Sequence, residues 1–251
     1  MDAEGDQEPT EVRCDYPSES VGADSSMTEE YRATLLRLMA NQAYGERLAS
    51  TSYAPWINRA PGVEERRIMA EIVGQELDHW RIVVELMGGL GVPWDKVSSF
   101  QSFHHFYPLA RCFVPVLRWT DILMSTFLID RAAYFMLEDY ARSSYAPWAK
   151  AVQAGLEEEE RHGHFGMEFL SGQMAKIGAR PVQRALNKWW RIALNMYGPP
   201  KSRHHDTYLR LGLKFRSNED RRRIFIADGA KRIGEVGLAV PKLIHDRYPY
   251  F

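Results

Sequence analysis

Two copies of the pattern Glu-x-x-His lie in segments with helical periodicity, and they restrict the fold of this chain more than any other feature. The first copy is formed by Glu76 and His79, and the second by Glu159 and His162. Residues three apart project from the same face of an α-helix. The first pair interrupts an apolar stripe that we expect to face a core, where a carboxylate is costly unless a bound cation compensates its charge.

Each pattern is preceded by a carboxylate on an earlier helical segment. Glu46 precedes Glu76, and Asp130 precedes Glu159, by similar intervals of about 30 residues. Asp130 follows the apolar run 122–129, where a carboxylate is hard to expose. A four-helix bundle that binds two metal ions needs one carboxylate from each of two helices and a Glu-x-x-His from each of the other two. The predicted metal ligands, which would also be the catalytic residues, are Glu46, Glu76, His79, Asp130, Glu159 and His162.

The oxygen and nitrogen donors of this ligand set favour iron or manganese over a structural zinc. Taken singly, the residues have ordinary interpretations. The run 157–160 is compatible with a solvated acidic surface, Asp130 with a core aspartate paired to an arginine, and Glu46 with a surface residue. The combination of two motifs, two upstream carboxylates and near-equal intervals favours the metal site.

The remaining sequence predicts an all-α protein, because no convincing alternating β-strand is present. Pro55 and the pair at 61–62 separate the first two helices, and a long aromatic loop covers 92–116. Four long helices with further helices after them indicate a four-helix bundle with additional C-terminal helices. The expected helices are 28–50, 63–87, 119–143 and 147–176, followed by shorter ones at 181–196, 203–215 and 219–236.

Composition and charge exclude several classes of protein. The 251 residues are 45% hydrophobic and 26% charged, as in an ordinary globular domain, and the formal net charge of -1 does not favour nucleic acid as a partner. The two cysteines, Cys14 and Cys112, are too few for a cysteine-based metal site. Segment 1–27 is acidic and is expected to be a disordered tail rather than a targeting peptide, leaving a domain at 28–251. Without an apolar stretch of about 18 residues, we expect a cytoplasmic protein that does not bind membranes.

Several segments outside the metal motifs carry a family resemblance. They are 31–35 (YRATL), 56–61 (WINRAP), 143–147 (SSYAP), and the tryptophan pair leading into Gly198-Pro199. Over residues 31–241 the chain resembles the phenylacetate-catabolism family of ferritin-like di-iron proteins, and within it the catalytic (A) subunit of enzymes that epoxidise the ring of phenylacetyl-CoA. The resemblance implies a ferritin-like fold and assigns the metal to the same six positions.

The resemblance also implies a reaction. Two iron ions would activate O₂, and a monooxygenase or epoxidase reaction would place oxygen on the ring of an aryl-CoA thioester such as phenylacetyl-CoA. Electrons would come from NADPH through a separate reductase with flavin and iron–sulfur centres, and an inactive ferritin-like subunit would complete an oligomer. Arg37 and Lys214 match basic positions of the family, and Arg111 is a candidate to bind substrate from the loop.

Three alternatives remain open at this stage. Tyr107 stands where the family has a basic residue associated with CoA, and the chain ends at Phe251 while the family's catalytic chain continues, which motivates a same-family oxygenase with a different, non-CoA substrate. Iron storage or oxidant defence would be indicated by a hollow multi-subunit cage. A non-catalytic scaffold subunit is disfavoured, because a scaffold has no need to keep a buried acidic cluster.

Overall fold

The computed structural model describes residues 14–98, 116–199 and 204–242, and the regular structure of these parts is helical. They contain no β-strand, only an isolated bridge between Val21 and Tyr145, so the predicted all-α class is confirmed. No helix in these ranges combines the length and the apolarity that a membrane span requires. The helices are α1 (Glu29–Tyr53), α2 (Trp56–Arg59), α3 (Val63–Gly89), α4 (Trp94–Ser98), α5 (Trp119–Ser125), α6 (Arg131–Tyr140), α7 (Ala146–Ile177), α8 (Ala179–Met196), α9 (His205–Arg210) and α10 (Asn218–Glu235), with a π-helical turn (Thr126–Asp130) between α5 and α6.

The ends of the long helices follow from local sequence. Thr28 caps α1, because its hydroxyl accepts a hydrogen bond from the backbone N–H of Tyr31 at 3.1 Å. Pro147 lies in the first turn of α7, where its missing N–H costs nothing. Gly178 ends α7 with a φ of +81°, a conformation that glycine adopts without strain.

The third helix of the bundle differs from the prediction of one continuous helix over 119–143. It is divided into α5, the π-helical turn and α6, and it ends at Tyr140. The hydroxyl of Thr126 donates to the carbonyl oxygen of Ile122 at 3.1 Å, inside the helix, at the point where the π-helical turn begins. Asp130 is the last residue of this turn and is 3% exposed. Such turns change the direction of a side chain and are frequent at functional sites.

Two apolar clusters fill the bundle, one on each side of a polar layer. On α3, Met69 and Ile72 belong to one cluster and Val83 to the other, with the first Glu-x-x-His motif between them. On α7, Val152 and Phe165 flank the second motif in the opposite order. The two motifs therefore lie at the same level of the bundle, between the two apolar clusters.

The backbones of α7 and the π-helical turn approach each other closely at Gly166. A Cβ atom at this position would lie 2.5 Å from the carbonyl oxygen of Leu123, from the backbone nitrogen of Phe127 and from the hydroxyl of Thr126. Because two of these atoms belong to the backbone, they cannot move aside as a flexible side chain would. Glycine is required here for the close packing of the two helices.

A network of ion pairs connects α10 to the helices of the bundle. The Arg131 guanidinium binds the Asp228 carboxylate at 2.8 Å and also contacts Glu160, and Arg232 binds Glu160 at 2.7 Å. Arg131 is 7% exposed, whereas its partners Glu160 and Asp228 keep contact with solvent. Arg131 and Glu160 each follow a predicted metal ligand directly, so the network holds α6 and α7 together beside the polar layer.

The acidic segment 1–27 is not a free tail over its whole length. Its second half is described by the structure and contacts the helical domain, while its first half lies outside the described residues. The backbone N–H of Asp15 donates to the carbonyl of Arg210 at 2.7 Å, and that of Val21 donates to the carbonyl of Ser144 at 2.9 Å. Val21 is 6% exposed. The folded part therefore begins before residue 28, because this short segment has both an apolar anchor and backbone partners.

Candidate metal centre

The six residues predicted as ligands are brought together in the polar layer. They come from four separate elements of the bundle, and each is at most 8% exposed. Glu46 lies on α1, Glu76 and His79 on α3, Asp130 on the π-helical turn, and Glu159 and His162 on α7.

One group of possible ligand atoms surrounds His79. It comprises Glu46, Glu76, His79 and Glu159, whose ligand atoms all lie within 4.8 Å of one another. The Nδ1 atom of His79 lies 4.0 Å from Glu46 Oε2 and 3.8 Å from Glu159 Oε1. These four buried side chains could hold one metal ion.

The second group surrounds His162 and consists of Glu76, Asp130 and His162. The Nδ1 atom of His162 lies 3.5 Å from Glu76 Oε1, 3.8 Å from Asp130 Oδ2 and 3.9 Å from Glu159 Oε2. Glu76 belongs to both groups, and Glu159 approaches both imidazoles. The arrangement therefore has two positions that share carboxylates.

Hydrogen bonds hold the outer atoms of several of these side chains, while four inner atoms make no hydrogen bond within the described residues. The Gln42 amide donates to Glu46 Oε1 at 3.1 Å, and the Tyr53 hydroxyl donates to Asp130 Oδ1 at 2.9 Å. Buried polar atoms without a partner are rare in folded proteins. Four carboxylates and two imidazoles match the charge and donors of two divalent cations, so the residues fit such a centre. The buried atoms that make no hydrogen bond within the described residues include His79 Nδ1, Asp130 Oδ2, Glu159 Oε2 and His162 Nδ1.

The outer nitrogens of the two imidazoles are also held. His79 Nε2 lies 2.7 Å from Glu158 Oε2, and His162 Nε2 lies 2.8 Å from Gln75 Oε1. A carboxylate and an amide oxygen can only accept, so each Nε2 carries the hydrogen and each Nδ1 presents its lone pair to the centre. Gly155 leaves room for this arrangement, because a Cβ there would lie 3.1 Å from His79 Nε2.

The electrostatics of the layer match an acidic cluster that needs cations. Burial, and then the neighbouring Glu159, raise the pKa of Glu76 well above its usual value. Burial also raises the pKa values of Glu159 and Asp130, although the Tyr53 hydroxyl opposes the shift at Asp130. Burial and the nearby His79 lower the pKa of His162 to about 3, so its imidazole is neutral. Neutral imidazole is the form that binds metal.

We predict that the metal-free protein loses stability as pH rises. Glu76, Asp130 and Glu159 have raised pKa values in the folded state. The folded state therefore holds more protons than the unfolded state above the ordinary glutamate pKa of about 4.3, and stability falls with pH. His162 acts in the opposite direction up to its ordinary pKa of about 6.5, so the fall is clearest above that pH. Urea unfolding of chelator-treated protein at a series of pH values measures it.

The control for this prediction is the same series with a divalent metal added. A bound cation keeps the carboxylates ionised in the folded state, so the loss of stability with pH should disappear. A metal-free protein whose free energy of unfolding is constant or rises above pH 6.5 would contradict the assignment of protonated, buried carboxylates.

A cavity of about 200 Å³ extends from the carboxylates into the apolar part of the bundle. Four of the predicted ligands belong to its lining, together with mainly apolar side chains of α1, the π-helical turn, α6 and α8. For comparison, an apolar cavity of about 150 Å³ is enough to bind benzene. The volume of this cavity is therefore sufficient for an aromatic ring. The apolar lining includes Leu48, Ala49, Ile129, Ala133, Met136, Leu137, Ile192 and Met196.

Two of the three predicted substrate-binding residues lie in the described part of the chain, and both are close to Tyr208. Arg37 is exposed, lies one helical turn before the cavity-lining Asn41, and contacts a ring nitrogen of His204 at 3.0 Å. The Lys214 ammonium lies 4.6 Å from the ring centroid of Tyr208, and burial and the nearby Arg221 lower its pKa. Arg37 is also a neighbour of Tyr208, so these two basic side chains lie around one tyrosine. The third candidate, Arg111, lies outside the described residues.

Sequence reasoning did not identify the residues that hold the ligands from outside. Tyr53 and Gln42 lie one to two turns from Glu46 on α1, and nothing in the local pattern distinguishes them from core residues. Gln75 and Glu158 did leave a signal, because each directly precedes the glutamate of a Glu-x-x-His motif. Both motifs thus share a longer pattern, in which a Gln or Glu that can accept a hydrogen bond directly precedes Glu-x-x-His.

Comparison with known proteins yields one family and two relatives. A family model described as phenylacetic acid catabolic protein matches residues 9–247. The A subunit of 1,2-phenylacetyl-CoA epoxidase from Escherichia coli (strain K12) is 26% identical over 219 residues, covering 86% of this chain and 71% of that protein. Benzoyl-CoA oxygenase component B from Aromatoleum evansii is 26% identical over 229 residues, covering 76% of this chain and 46% of that protein. The resemblance inferred from the sequence is confirmed.

Proposed function

The chain belongs to the phenylacetic acid catabolic protein family, and from this premise we propose that it is an oxygenase that uses a two-iron centre and O₂ to oxidise the ring of an aryl-CoA thioester. Both similar proteins are named as enzymes that act on aromatic CoA thioesters with oxygen, one as an epoxidase and the other as an oxygenase. The observation that carries the proposal is the buried ligand cluster, four of whose atoms make no hydrogen bond within the described residues, in the lining of a cavity with volume enough for an aromatic ring.

The proposed ligands are the six residues of the polar layer. Glu46, His79 and Glu159 would hold one ion and Asp130 and His162 the other, while Glu76 belongs to both groups and would serve both ions. A bound pair of iron ions supplies the electrons and the binding position with which O₂ is activated, a reaction that amino-acid side chains do not perform alone.

The protein's own groups would bind and orient the reactants. The apolar lining around Ile129 and Met136 would hold the aromatic ring near the carboxylates. The Tyr53 hydroxyl donates to Asp130 Oδ1, and burial together with Asp130 raises the pKa of Tyr53, so it stays protonated and fixes which oxygen faces the centre. We further propose that a separate NADPH-dependent reductase with flavin and iron–sulfur centres supplies electrons and that an inactive ferritin-like subunit binds this chain, since both relatives are named as parts of larger enzymes.

We predict that Arg37→Ala weakens the binding of phenylacetyl-CoA by about tenfold and leaves metal content unchanged. The side chain is exposed one turn from a cavity-lining residue, where it can pair with a CoA phosphate. Loss of one charge-assisted hydrogen bond accounts for an effect of this size. Calorimetric titration of phenylacetyl-CoA, benzoyl-CoA and free phenylacetate against wild type and variant measures the effect.

Arg67→Ala is the matched control, because Arg67 is an exposed arginine of α3 that pairs with Glu64 and Glu71 on the surface. It should bind all three compounds as the wild type does. Equal affinity of the wild type for phenylacetate and its CoA thioester would refute the CoA proposal and favour an oxygenase of the same family with a non-CoA substrate. If both arginine variants weakened binding equally, Arg37 would not be a specific substrate-binding residue, but the proposal of a CoA-thioester substrate would stand.

A further inference from the structure

The residue directly before each Glu-x-x-His motif reaches the imidazole of the opposite helix. Gln75, on α3, accepts a hydrogen bond from His162 on α7 at 2.8 Å. Glu158, on α7, accepts one from His79 on α3 at 2.7 Å. The Gln75 amide also donates to Glu158 Oε1 at 3.3 Å, so the two residues form a bridge across the outside of the centre. This bond directs the amide nitrogen of Gln75 toward Glu158 and its oxygen toward His162.

The two residues of this bridge differ in charge. Glu158 keeps contact with solvent, with 29% of its side chain exposed, and Arg161 lies 3.8 Å from its Oε1. Its carboxylate therefore makes a charge-assisted hydrogen bond to His79, whereas the Gln75 amide makes a neutral one to His162. A carboxylate that accepts from an imidazole N–H raises the basicity of the other ring nitrogen, the one that faces the metal.

The inner ligands do not cancel this difference. Glu76 belongs to both groups of ligand atoms, and Glu159 lies within 4 Å of both imidazoles, which leaves one unshared carboxylate on each side, Glu46 near His79 and Asp130 near His162. Counting the bridge, the His79 position therefore has one more carboxylate than the His162 position. The negative charge that attracts a cation is greater on the His79 side.

We infer that Gln75 and Glu158 are positioning residues that make the two metal positions unequal, with the His79 position filled first and bound more tightly. This inference rests on the metal centre proposed above and concerns how that centre is loaded. Replacing an outer-shell partner of a metal-binding histidine typically lowers metal affinity by about 10- to 100-fold. Glu158→Gln should therefore weaken the tighter of two binding steps by this factor. Gln75→Glu should strengthen the weaker step.

The experiment is an anaerobic titration of the metal-free full chain with Mn²⁺, in which the EPR signal of the aqueous ion reports the unbound metal. The wild type should bind two ions in two separated steps. Glu158→Gln should weaken the tighter step, so that the two binding steps lie closer together while two Mn²⁺ ions are still bound per chain. Gln75→Glu should strengthen only the weaker, second step. Glu157→Gln is the matched control, since it removes one negative charge from an exposed position on the same turn of α7.

Each result has a distinct meaning. A selective change of one step in Glu158→Gln, absent from Glu157→Gln, supports the inference. Identical isotherms for the wild type and Glu158→Gln, equal weakening of both steps, or the same effect in Glu157→Gln would overturn it and leave the metal centre in place. A wild type that binds no Mn²⁺ and no Fe²⁺ would overturn the proposed centre itself. Should Glu158→Gln lose its helical circular dichroism, an unchanged second step in Gln75→Glu would still contradict the inference.

Discussion

Glu76→Gln is expected to reduce oxygenase turnover by more than about a hundredfold. Mutation of a residue that only hydrogen-bonds to a metal ligand typically lowers metal affinity or activity by about 10- to 100-fold. Glu76 is itself a proposed ligand and belongs to both metal positions, so its loss should cost more. The amide keeps the shape of the side chain but removes a negative charge and an oxygen that can bridge two cations. Iron content after anaerobic loading should fall below two per chain, as measured by metal analysis of the desalted protein.

The same substitution should stabilise the protein when metal is absent. Burial and three neighbouring carboxylates raise the pKa of Glu76, so the ionised residue opposes folding until a cation is bound. Removing its charge relieves that repulsion, and the urea midpoint of the metal-free variant should exceed that of the wild type. With metal added, the wild type should have the higher urea midpoint.

The control for this pair of effects is Glu71→Gln, which lies on the same helix but is exposed and pairs with Arg67 on the surface. Exposed ion pairs contribute about 0–1 kcal/mol, so this variant should retain turnover, iron content and stability. A Glu76→Gln protein with two irons and wild-type turnover would exclude Glu76 as a bridging ligand.

Gly166→Ala is expected to destabilise the protein by about 3 kcal/mol, at the upper end of the usual cost of overpacking a core. The added methyl group would lie 2.5 Å from backbone atoms of Leu123 and Phe127, so α7 and the π-helical turn must separate. For a chain of this length the loss corresponds to a fall in Tm of roughly 10 °C. Iron affinity should fall as well, because the separation moves His162 away from Asp130.

Gly172→Ala, on the same helix, is the matched control. An added Cβ there meets no atom of the described residues within 4 Å, and alanine is favoured over glycine in a helix by about 0.5–1 kcal/mol. Thermal unfolding followed by circular dichroism should thus show opposite shifts for two identical substitutions six residues apart. Equal shifts would mean that the close approach at Gly166 is not required by the fold.

The helices could be predicted from the sequence because their signals are local. Thr28, Pro147 and Gly178 mark helix ends through capping and backbone preferences, and the structure has helix ends within a few residues of each. The grouping of the six ligand candidates could also be predicted, because the 3.6-residue period places Glu and His on one face before any tertiary contact is known.

Features that depend on contacts between distant segments could not be predicted. The π-helical turn at Asp130 carries no sequence signal, since its apolar residues suit a continuous helix equally well. The bridge of Gln75 and Glu158 joins two helices about 80 residues apart, and an acidic run such as 157–160 is usually solvated. The docking of Val21 depends on Ser144, which is remote in the chain.

The ion-pair network between α10 and the bundle has a consequence for the order in which the protein matures on the ribosome. The proposed ligands all lie between residues 46 and 162, but Asp228 and Arg232, which bind Arg131 and Glu160, are synthesised later. During synthesis the N-terminal part of a chain emerges first. The π-helical turn that carries Asp130 and the helix that carries Glu159 are thus synthesised before the aspartate and arginine that join them to α10, so these ion pairs can form only after all six proposed ligands are already in the chain.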